Sequence, residues 1–468
     1  MLATPYRQKS GTFSVSRVYG VLLLVVLAIY AYLGRSGAHI GVPPVYIGEI
    51  LLVLGVASLG VLLQRHLVRK VSPNHIVLVW LVGLYMIWGF VWTATDLSQH
   101  GLLAIRDAVI WYYATFFFIS YFLVRYVNDH RVIIGWYWRY MKWILIWMPI
   151  VYLVRFHFAE SIPNFPGQEF SIIHVRPGEF AVHLAGVITF WLLGLHKIHN
   201  DNTEHSKNST HKAYVYTAIG IVLAIICFVL LTSARGPMLA VLVPLAIVVL
   251  FRFNQKRLFI SGSLAILVIF VMVSFDIKLG SDIQGERERS VRQAVVNIVS
   301  LSEIDENVEV LGGTTRWRKR LWGDLLDSTI ANQRQIRGMG FGEWIGNHTY
   351  VTVKEDTRSP HNVFVTIVFR MGAVGILIFG SILLVSISVL AKKYRTQGRT
   401  GDERITLWLM VYLLAFLINA AFDVYVESPQ GGIWFWSLLG FAIAQTSIRT
   451  EENRGTLSAS RLALGRKS

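Results

Sequence analysis

The residues best suited to chemistry lie where a polar loop gives way to a long apolar run, in the stretch RSPHNVFVTIVFR. His361 and Asn362 stand at this boundary. Ser359 is a good helix N-cap and Pro360 suits a first helical turn, so we expect His361 in the opening turn of a membrane-spanning helix. An imidazole held there can exchange a proton with a substrate. An ordinary histidine at the membrane surface is the alternative interpretation.

A second candidate is Arg235, in the segment TSARGPML, which divides an apolar stretch too long for one span. Pro237 fits the first turn of a helix that begins here. Arg235 is then held at a helix N-terminus, where free N–H groups and the helix dipole favour an anion. We expect Arg235 and His361 on the same side of the membrane, as an anion-plus-base site. A membrane-anchoring arginine is the alternative.

The elements that must position these residues follow from the composition. Hydrophobic residues make up 54% of the 468 residues, charged residues make up only 15%, and the mean hydropathy is +0.51. Apolar runs of about 18 or more residues recur along the chain. The sequence therefore predicts an all-α, polytopic integral membrane protein with about twelve spans. They are placed near residues 18–33, 45–63, 76–95, 102–124, 133–155, 179–195, 214–231, 237–251, 258–275, 361–390, 405–422 and 432–448.

The net charge of +16 could indicate a nucleic-acid partner, but the distribution of the charge argues against one. More than half of the lysines and arginines fall in segments predicted to lie on one side of the membrane. The short loops on the other side carry only Arg35, Arg176 and Arg235. Cytoplasmic loops are rich in positive charge, so this pattern places both tails in the cytoplasm. We expect membrane lipid around the spans and no nucleic-acid partner.

Five parts follow from this topology. They are a cytoplasmic tail over 1–17, nine spans over 18–275, a large outer loop over 276–360, three spans over 361–448 and a cytoplasmic tail over 449–468.

The outer loop is nearly neutral and is expected to fold as a small cap. Helical spacing predicts one helix through Val291, Val295 and Ile298 and another over about 314–331. The glycines of 338–342 follow a helix and lack the spacing of a nucleotide loop, so we expect no nucleotide site there. Four histidines in 196–212 have no recognised metal-ligand spacing, so we expect no metal.

Charged residues inside predicted spans are costly and need partners. Arg106 and Asp107 could pair with each other. Arg370 lies about 13 Å beyond His361 along a helix, so it must face protein or water.

These motifs resemble the O-antigen ligase and O-antigen polymerase superfamily of bacterial lipid-linked glycan transferases. Its pattern His-(Asn/Ser/Gln)-X9-Gly-X-X-Gly is matched by His361, Asn362, Gly372 and Gly375. Its Arg-X3-Leu pattern is matched by Arg235 and Leu239, and its Arg-X3-Trp pattern by Arg318 and Trp322. A large loop before the tenth span also fits.

The resemblance implies a GT-C-like enzyme in the bacterial inner membrane, with its site facing the periplasm. The donor would be a glycan on undecaprenyl pyrophosphate. The acceptor would be lipid A–core or a second lipid-linked glycan. His361 would orient or deprotonate the acceptor hydroxyl, and Arg235 would bind the pyrophosphate. Supporting substrate contacts would come from Asn362, Arg176, Arg318 and Arg320, and close helix packing from Gly372 and Gly375.

No Asp-X-Asp pair occurs in the chain, so we expect arginines in place of a metal, no cofactor, and activity in excess chelator. Ligation of polysaccharide to lipid A–core is the leading function. A polymerase or protein O-oligosaccharyltransferase of the same superfamily is the alternative. A twelve-span transporter, for which Arg370 is the best support, and a purely structural membrane protein are the rivals from other classes.

Overall fold

The computed structural model describes residues 15–43, 45–64, 71–127, 130–166, 170–197, 218–251 and 309–447, the last two with short gaps, and isolated residues between 263 and 275. The described chain is helical apart from one small antiparallel hairpin, β1 (Gly41–Val42) and β2 (Val45–Tyr46). The predicted helix at 291–298, residues 1–14 of the N-terminal tail, the C-terminal tail, and residues 198–212 of the His-rich segment lie outside the described residues.

Fifteen α-helices have fully described bounds. The first nine are α1 (Val15–Leu33), α2 (Arg35–Ala38), α3 (Ile47–Gln64), α4 (Pro73–His100), α5 (Leu102–Asp107), α6 (Val109–Tyr112), α7 (Thr115–Val127), α8 (His130–Met141) and α9 (Ile144–Phe158). The others are α10 (Pro177–Leu192), α11 (Arg235–Phe251), α12 (Glu309–Ala331), α13 (Val363–Thr396), α14 (Gly401–Ala420) and α15 (Pro429–Gln445).

Four helices are long and apolar enough to cross a membrane by length and composition. They are Ser16–Leu33, His75–His100, Val363–Thr396 and Glu403–Ala420. The prediction of an all-α membrane protein is therefore confirmed. The number of twelve spans and the outer loop remain predictions.

Two predicted spans differ from the structure. The run 102–124 is divided into α5, α6 and α7, because hydrogen-bonded turns interrupt the regular helix at Ala108 and at Tyr113. The run 133–155 is divided into α8 and α9 around Lys142. Hydropathy detects an apolar run but not a helix interruption within it. It therefore predicts one span in each run, where the structure has two or three helices.

The core lies around α15, whose residues from Gln430 to Gln445 are all buried. α15 packs mainly on α7, α10 packs on α11 and α14, and α13 packs on α4. A helix that is apolar on all sides needs neighbours on all sides, and this one has them.

α13 is bent at Gly372, where the backbone adopts φ 69° and ψ −166°. At this point backbone groups of α13 form hydrogen bonds with the loop after α12. The carbonyls of Phe369 and Arg370 accept from the N–H groups of Met339 (2.6 Å) and Gly340 (3.2 Å). The N–H of Ala373 donates to the carbonyl of Gln335 at 2.7 Å. The opened turn thus docks the loop after α12 onto α13 with backbone groups satisfied.

This geometry predicts that Gly372→Ala destabilises the protein by more than about 1–3 kcal/mol, the usual cost of a backbone region open only to glycine. The added Cβ would also overlap the carbonyl oxygen of Ile336. Thermal unfolding in detergent measures the loss. Gly380→Ala on the same helix is the matched control, since its Cβ meets nothing within 4 Å, and it should be neutral or stabilising. Equal stability of the two variants would contradict this account of the bend.

Candidate functional site

His361 lies just outside α13, and its backbone is left-handed, with φ 58°. Asn362 is the N-cap: its Oδ1 accepts from the N–H groups of Phe364 (3.0 Å) and Val365 (3.3 Å). The hydroxyl of Ser359 accepts from the His361 N–H at 3.2 Å. The expected cap at Ser359 and the expected place of His361 in the first helical turn are therefore wrong. The ring is carried by a strained turn, Ser359–Asn362, which we call the His361 turn.

The His361 turn is held in place by α12. The indole N–H of Trp322 donates to the Pro360 carbonyl at 2.8 Å. The inner face of α12 is fixed by a buried cluster of Leu321 and Leu325 with Ile345 and Phe369. Arg318 lies one helical turn from Trp322, and residues four apart share a helix face. The predicted helix over 314–331 is confirmed, and it places Arg318 beside His361.

The surroundings of His361 keep its ring neutral. The pKa of His361 is lowered to about 4. Burial is the largest cause, Asp423 acts to raise the pKa, and Arg318, Arg176 and Arg35 act to lower it. The sequence also predicts a lowered pKa, from the α13 dipole and from Arg358. The direction agrees, but the causes are burial and three other arginines.

Asp423 and Glu179 organise these arginines. The Asp423 carboxylate lies 3.3 Å from the Arg176 guanidinium. Glu179, in the first turn of α10, accepts from the backbone N–H groups of Arg35 and Arg176, both at 3.1 Å. Gln430, at the start of α15, donates to its other oxygen at 3.0 Å. The ends of α1, α10 and α14 and the start of α15 thus meet beside the His361 turn.

Glu427 lies beneath the His361 turn. It accepts from the Thr366 hydroxyl at 3.0 Å and is also hydrogen-bonded to Ser359. Burial raises the pKa of Glu427 to about 7, against the opposing effect of the bonds from Ser359 and Thr366. A carboxyl group therefore supports both the turn and the first helical turn of α13.

Arg235 begins α11, as the sequence predicts, with Pro237 in the first turn. The helix end is packed against Phe422: a Cβ on Gly236 would lie 2.7 Å from the Phe422 Cβ. Phe422 is next to Asp423 in the chain, so Arg235 reaches the same end of the bundle as His361. Its Nε is buried and has no hydrogen-bond partner among the described residues.

The remaining predicted residues separate into two groups. Arg320 is exposed, and a residue two positions from Arg318 points to a different side of a helix. Gly372 meets the Ile336 carbonyl, and a Cβ on Gly375 would meet Met371 of the same helix. Gly372 therefore serves the bend in α13 and its contact with the loop after α12, and the nearest atoms to Gly375 belong to its own helix, whereas the sequence predicts that both glycines allow close helix packing.

Arg370 has a fully protein-based environment. Its side chain is 1% exposed and lies 2.9 Å from the Asp107 carboxylate, which also binds Arg358 at 2.6 Å. Arg370 donates to the carbonyls of Gly340 (3.2 Å), Glu343 (2.7 Å) and Arg358 (3.1 Å). The alternative pairing of Asp107 with Arg106 is therefore wrong. Arg370 ties the loop after α12 to α13, and it no longer favours a transporter.

The glycine run 338–342 also has protein partners. The Phe341 N–H donates to Asp96 at 2.8 Å, and the Gly342 N–H donates to Asp107 at 3.0 Å. Carboxylates of the chain itself occupy the N–H groups that a phosphate would need. This agrees with the expectation that the run is not a nucleotide loop.

Four site residues, Arg35, Glu179, Asp423 and Glu427, were not predicted from the sequence. The sequence indicates Arg35 only as an outer-face charge. Asp423 follows a predicted span in the segment FDVYVE, and an acidic residue at the outer end of a span was the available signal.

Comparison with known families agrees with the motifs. Residues 220–380 match the family model described as O-antigen ligase. No curated protein matches the chain significantly. The matched range contains Arg235, Arg318 and the complete His361–Gly375 pattern. This domain match supports the resemblance of the chain to the O-antigen ligase and polymerase superfamily.

Proposed function

We propose that the protein transfers a glycan from undecaprenyl pyrophosphate to a hydroxyl of lipid A–core, at the periplasmic face of the bacterial inner membrane. The observation that carries the proposal is a neutral, half-buried histidine surrounded by Arg318, Arg176 and Arg35, with Asp423 beside them. Such a site combines a proton acceptor with a binding surface for a highly charged leaving group.

The reaction forms one bond and breaks one. The acceptor oxygen bonds to the anomeric carbon, and the bond from that carbon to the pyrophosphate oxygen breaks. His361 accepts a hydrogen bond from the acceptor hydroxyl and takes its proton as the new bond forms. The departing pyrophosphate keeps the electron pair of the broken bond, and the guanidinium groups neutralise its charge.

Donor binding would also prepare the base. In the empty site, the arginines lower the pKa of His361. A bound pyrophosphate brings negative charge that offsets the arginines, so it raises the pKa again and makes the imidazole a stronger base. Proton transfer would then be favoured only when the donor is present.

Asp423 would hold Arg176 in its place, and Glu427 would hold the His361 turn. Arg235, at the start of α11, would add a positive helix end on the Asp423 side. These roles divide the site into a base, a pyrophosphate-binding group of arginines and two carboxylates that position them.

The function is tested with purified protein in lipid, given a glycan on undecaprenyl pyrophosphate and either lipid A–core or a second lipid-linked glycan. We expect transfer to lipid A–core, in excess chelator as well as without it. Transfer only to the lipid-linked glycan would instead assign a polymerase. Loss of activity in chelator and its return with Mg²⁺ or Mn²⁺ would contradict the role given to the arginines.

Arg318 and Arg320 provide a matched pair on one helix. We expect Arg318→Ala to lower the transfer rate by about 100-fold, as loss of one charge-stabilising donor commonly does. Arg320→Ala should stay within about twofold, since surface changes away from a site usually have small effects. Initial rates at saturating donor measure both. Equal rates for the two variants would remove Arg318 from the site.

A further inference from the structure

We propose that the loop following α12, residues 332–338, is seated in the lipid headgroup layer on the His361 side of the membrane, with Ile336 inserted and Arg337 at the level of the lipid phosphates. We call this segment the Ile336 loop. The proposal concerns how the Ile336 loop contacts the bilayer, and it does not depend on the proposed reaction.

The length of α13 provides the first argument. Its 34 residues extend about 51 Å, whereas the hydrocarbon layer is only about 30 Å thick. One end of α13 must therefore lie outside the hydrocarbon. Before Gly372, side chains such as Ile367, Phe369 and Met371 are buried in protein. Beyond it, Leu377 and Leu384 are exposed, as expected of a lipid-facing surface.

The exposed side chains of α4 change character at the same level. From Ile76 to Val91 the exposed residues are apolar, among them Leu84, Ile87 and Phe90. After Trp92 most of the exposed residues are polar, with Ala94 and Leu97 as the exceptions; the polar ones are Thr95, Ser98 and Gln99. A change from apolar to polar exposure along a membrane helix indicates the bilayer surface.

Two contacts place the Ile336 loop at the same level as this change in α4. The indole N–H of Trp88 donates to the Met371 carbonyl at 2.9 Å, next to the bend. One turn further along α4, the Arg337 guanidinium lies 4.8 Å from the centre of the Trp92 ring. Tryptophan and arginine are common at the membrane–water boundary, where a long cationic side chain reaches the headgroups.

The loop itself presents an apolar surface at this level. Ile336 is 68% exposed, and Ile330, in the last turn of α12, is 58% exposed. Their position beside the lipid-facing surfaces of α4 and α13 makes lipid the partner that covers them. The loop backbone can lie there because the opened turn of α13 accepts and donates its hydrogen bonds.

Spin-label depth measurements test the proposal. The chain has one cysteine, Cys227, which is buried. In a Cys227→Ala background reconstituted in lipid, a label is placed at Ile336→Cys. A label at Leu84→Cys is the reference for lipid. Labels at Ser98→Cys and Tyr350→Cys are the references for water, since Tyr350 is fully exposed in the segment between α12 and α13. Collisions with oxygen report lipid, and collisions with a water-soluble nickel complex report water.

We expect the Ile336 label to lie between the lipid and water references, and the Ser98 label to be aqueous. An Ile336 label as accessible to nickel as that at Tyr350 would overturn the proposal. A Ser98 label in lipid would also overturn it, by moving the boundary beyond Trp92. Adding Arg337→Ala should shift the Ile336 label toward water, and Arg337→Lys should not. An unchanged depth in Arg337→Ala would remove Arg337 from the contact.

Discussion

His361→Ala is expected to lower the rate of glycan transfer by about 100-fold or more, because positioned proton transfer commonly contributes about 10²–10⁴-fold. The variant should still insert into the membrane and bind donor, since the arginines remain. Transfer rates at saturating donor, with the amount of folded protein in the membrane, measure the effect. His157→Ala, at an exposed histidine in the last turn of α9, is the control and should transfer normally.

The left-handed backbone of His361 offers a sharper variant. Non-glycine residues adopt this conformation at a cost of about 1–2 kcal/mol, which glycine avoids. His361→Gly should therefore be at least as stable as His361→Ala and equally poor in transfer. If His361→Ala is inactive only because it is unfolded, and His361→Gly restores transfer, the histidine is structural. Wild-type rates in both variants would make it a bystander at the membrane surface.

The lowered pKa of His361 also predicts how stability depends on pH. The unfolded chain binds a proton at this residue below about pH 6.5, whereas the folded protein does so only near pH 4. The contribution of His361 to stability is therefore complete above pH 6.5 and is lost as the pH falls from 6.5 toward 4. Unfolding midpoints of wild type and His361→Gln should converge over this range.

Asp107→Asn is expected to destabilise the protein by about 3–5 kcal/mol, the usual cost of removing one partner from a buried ion pair. Asp107 holds both Arg370 and Arg358, and Arg370 is 1% exposed, so its charge cannot turn to water. The asparagine oxygen can still accept from the Gly342 N–H, which isolates the effect of the charge. Thermal unfolding in detergent, with the yield of membrane-inserted protein, measures the loss.

The matching control removes the arginine as well. In Asp107→Asn with Arg370→Met, the fully buried charge of Arg370 is gone and only Arg358, whose side chain is 14% exposed, loses its carboxylate, so part of the lost stability should return. A double variant that loses the sum of the two single effects would mean that Asp107 and Arg370 do not act as a pair.

Local features of the site could be predicted from the sequence. α12, the N-terminus of α11 at Arg235 and the apolar run of α13 follow from periodicity, from proline placement and from hydropathy. The choice of Asn362 over Ser359 as N-cap could not be predicted, because both are good caps. A contact that is distant in sequence acts on the residues between these two caps: the Trp322 indole N–H donates to the carbonyl of Pro360.

Which charged residues lie close together depends on how the helices pack, and no local sequence pattern predicts it. Arg35 and Asp423 reach His361 because α1 and α14 end where α10 and α15 begin, although these four helices are far apart in the sequence. The predicted pairing of Asp107 with Arg106 is wrong for the same reason. Its neighbour Arg106 is adjacent in the chain, but Arg370, far along the sequence, is the residue that lies 2.9 Å away.

The shared carboxylate of Asp107 has a consequence for how this sequence can evolve. If Asp107 is replaced by a neutral residue, both arginines lose the carboxylate that neutralises them. If both arginines are replaced by apolar residues, Asp107 loses its ion-pair partners. Substitutions at the three positions should therefore be correlated across homologous sequences, in spite of the long stretch of chain between Asp107 and its partners. In a lineage where position 107 is neutral, we expect position 370 to be neutral too, since a viable intermediate would otherwise carry a buried, uncompensated charge.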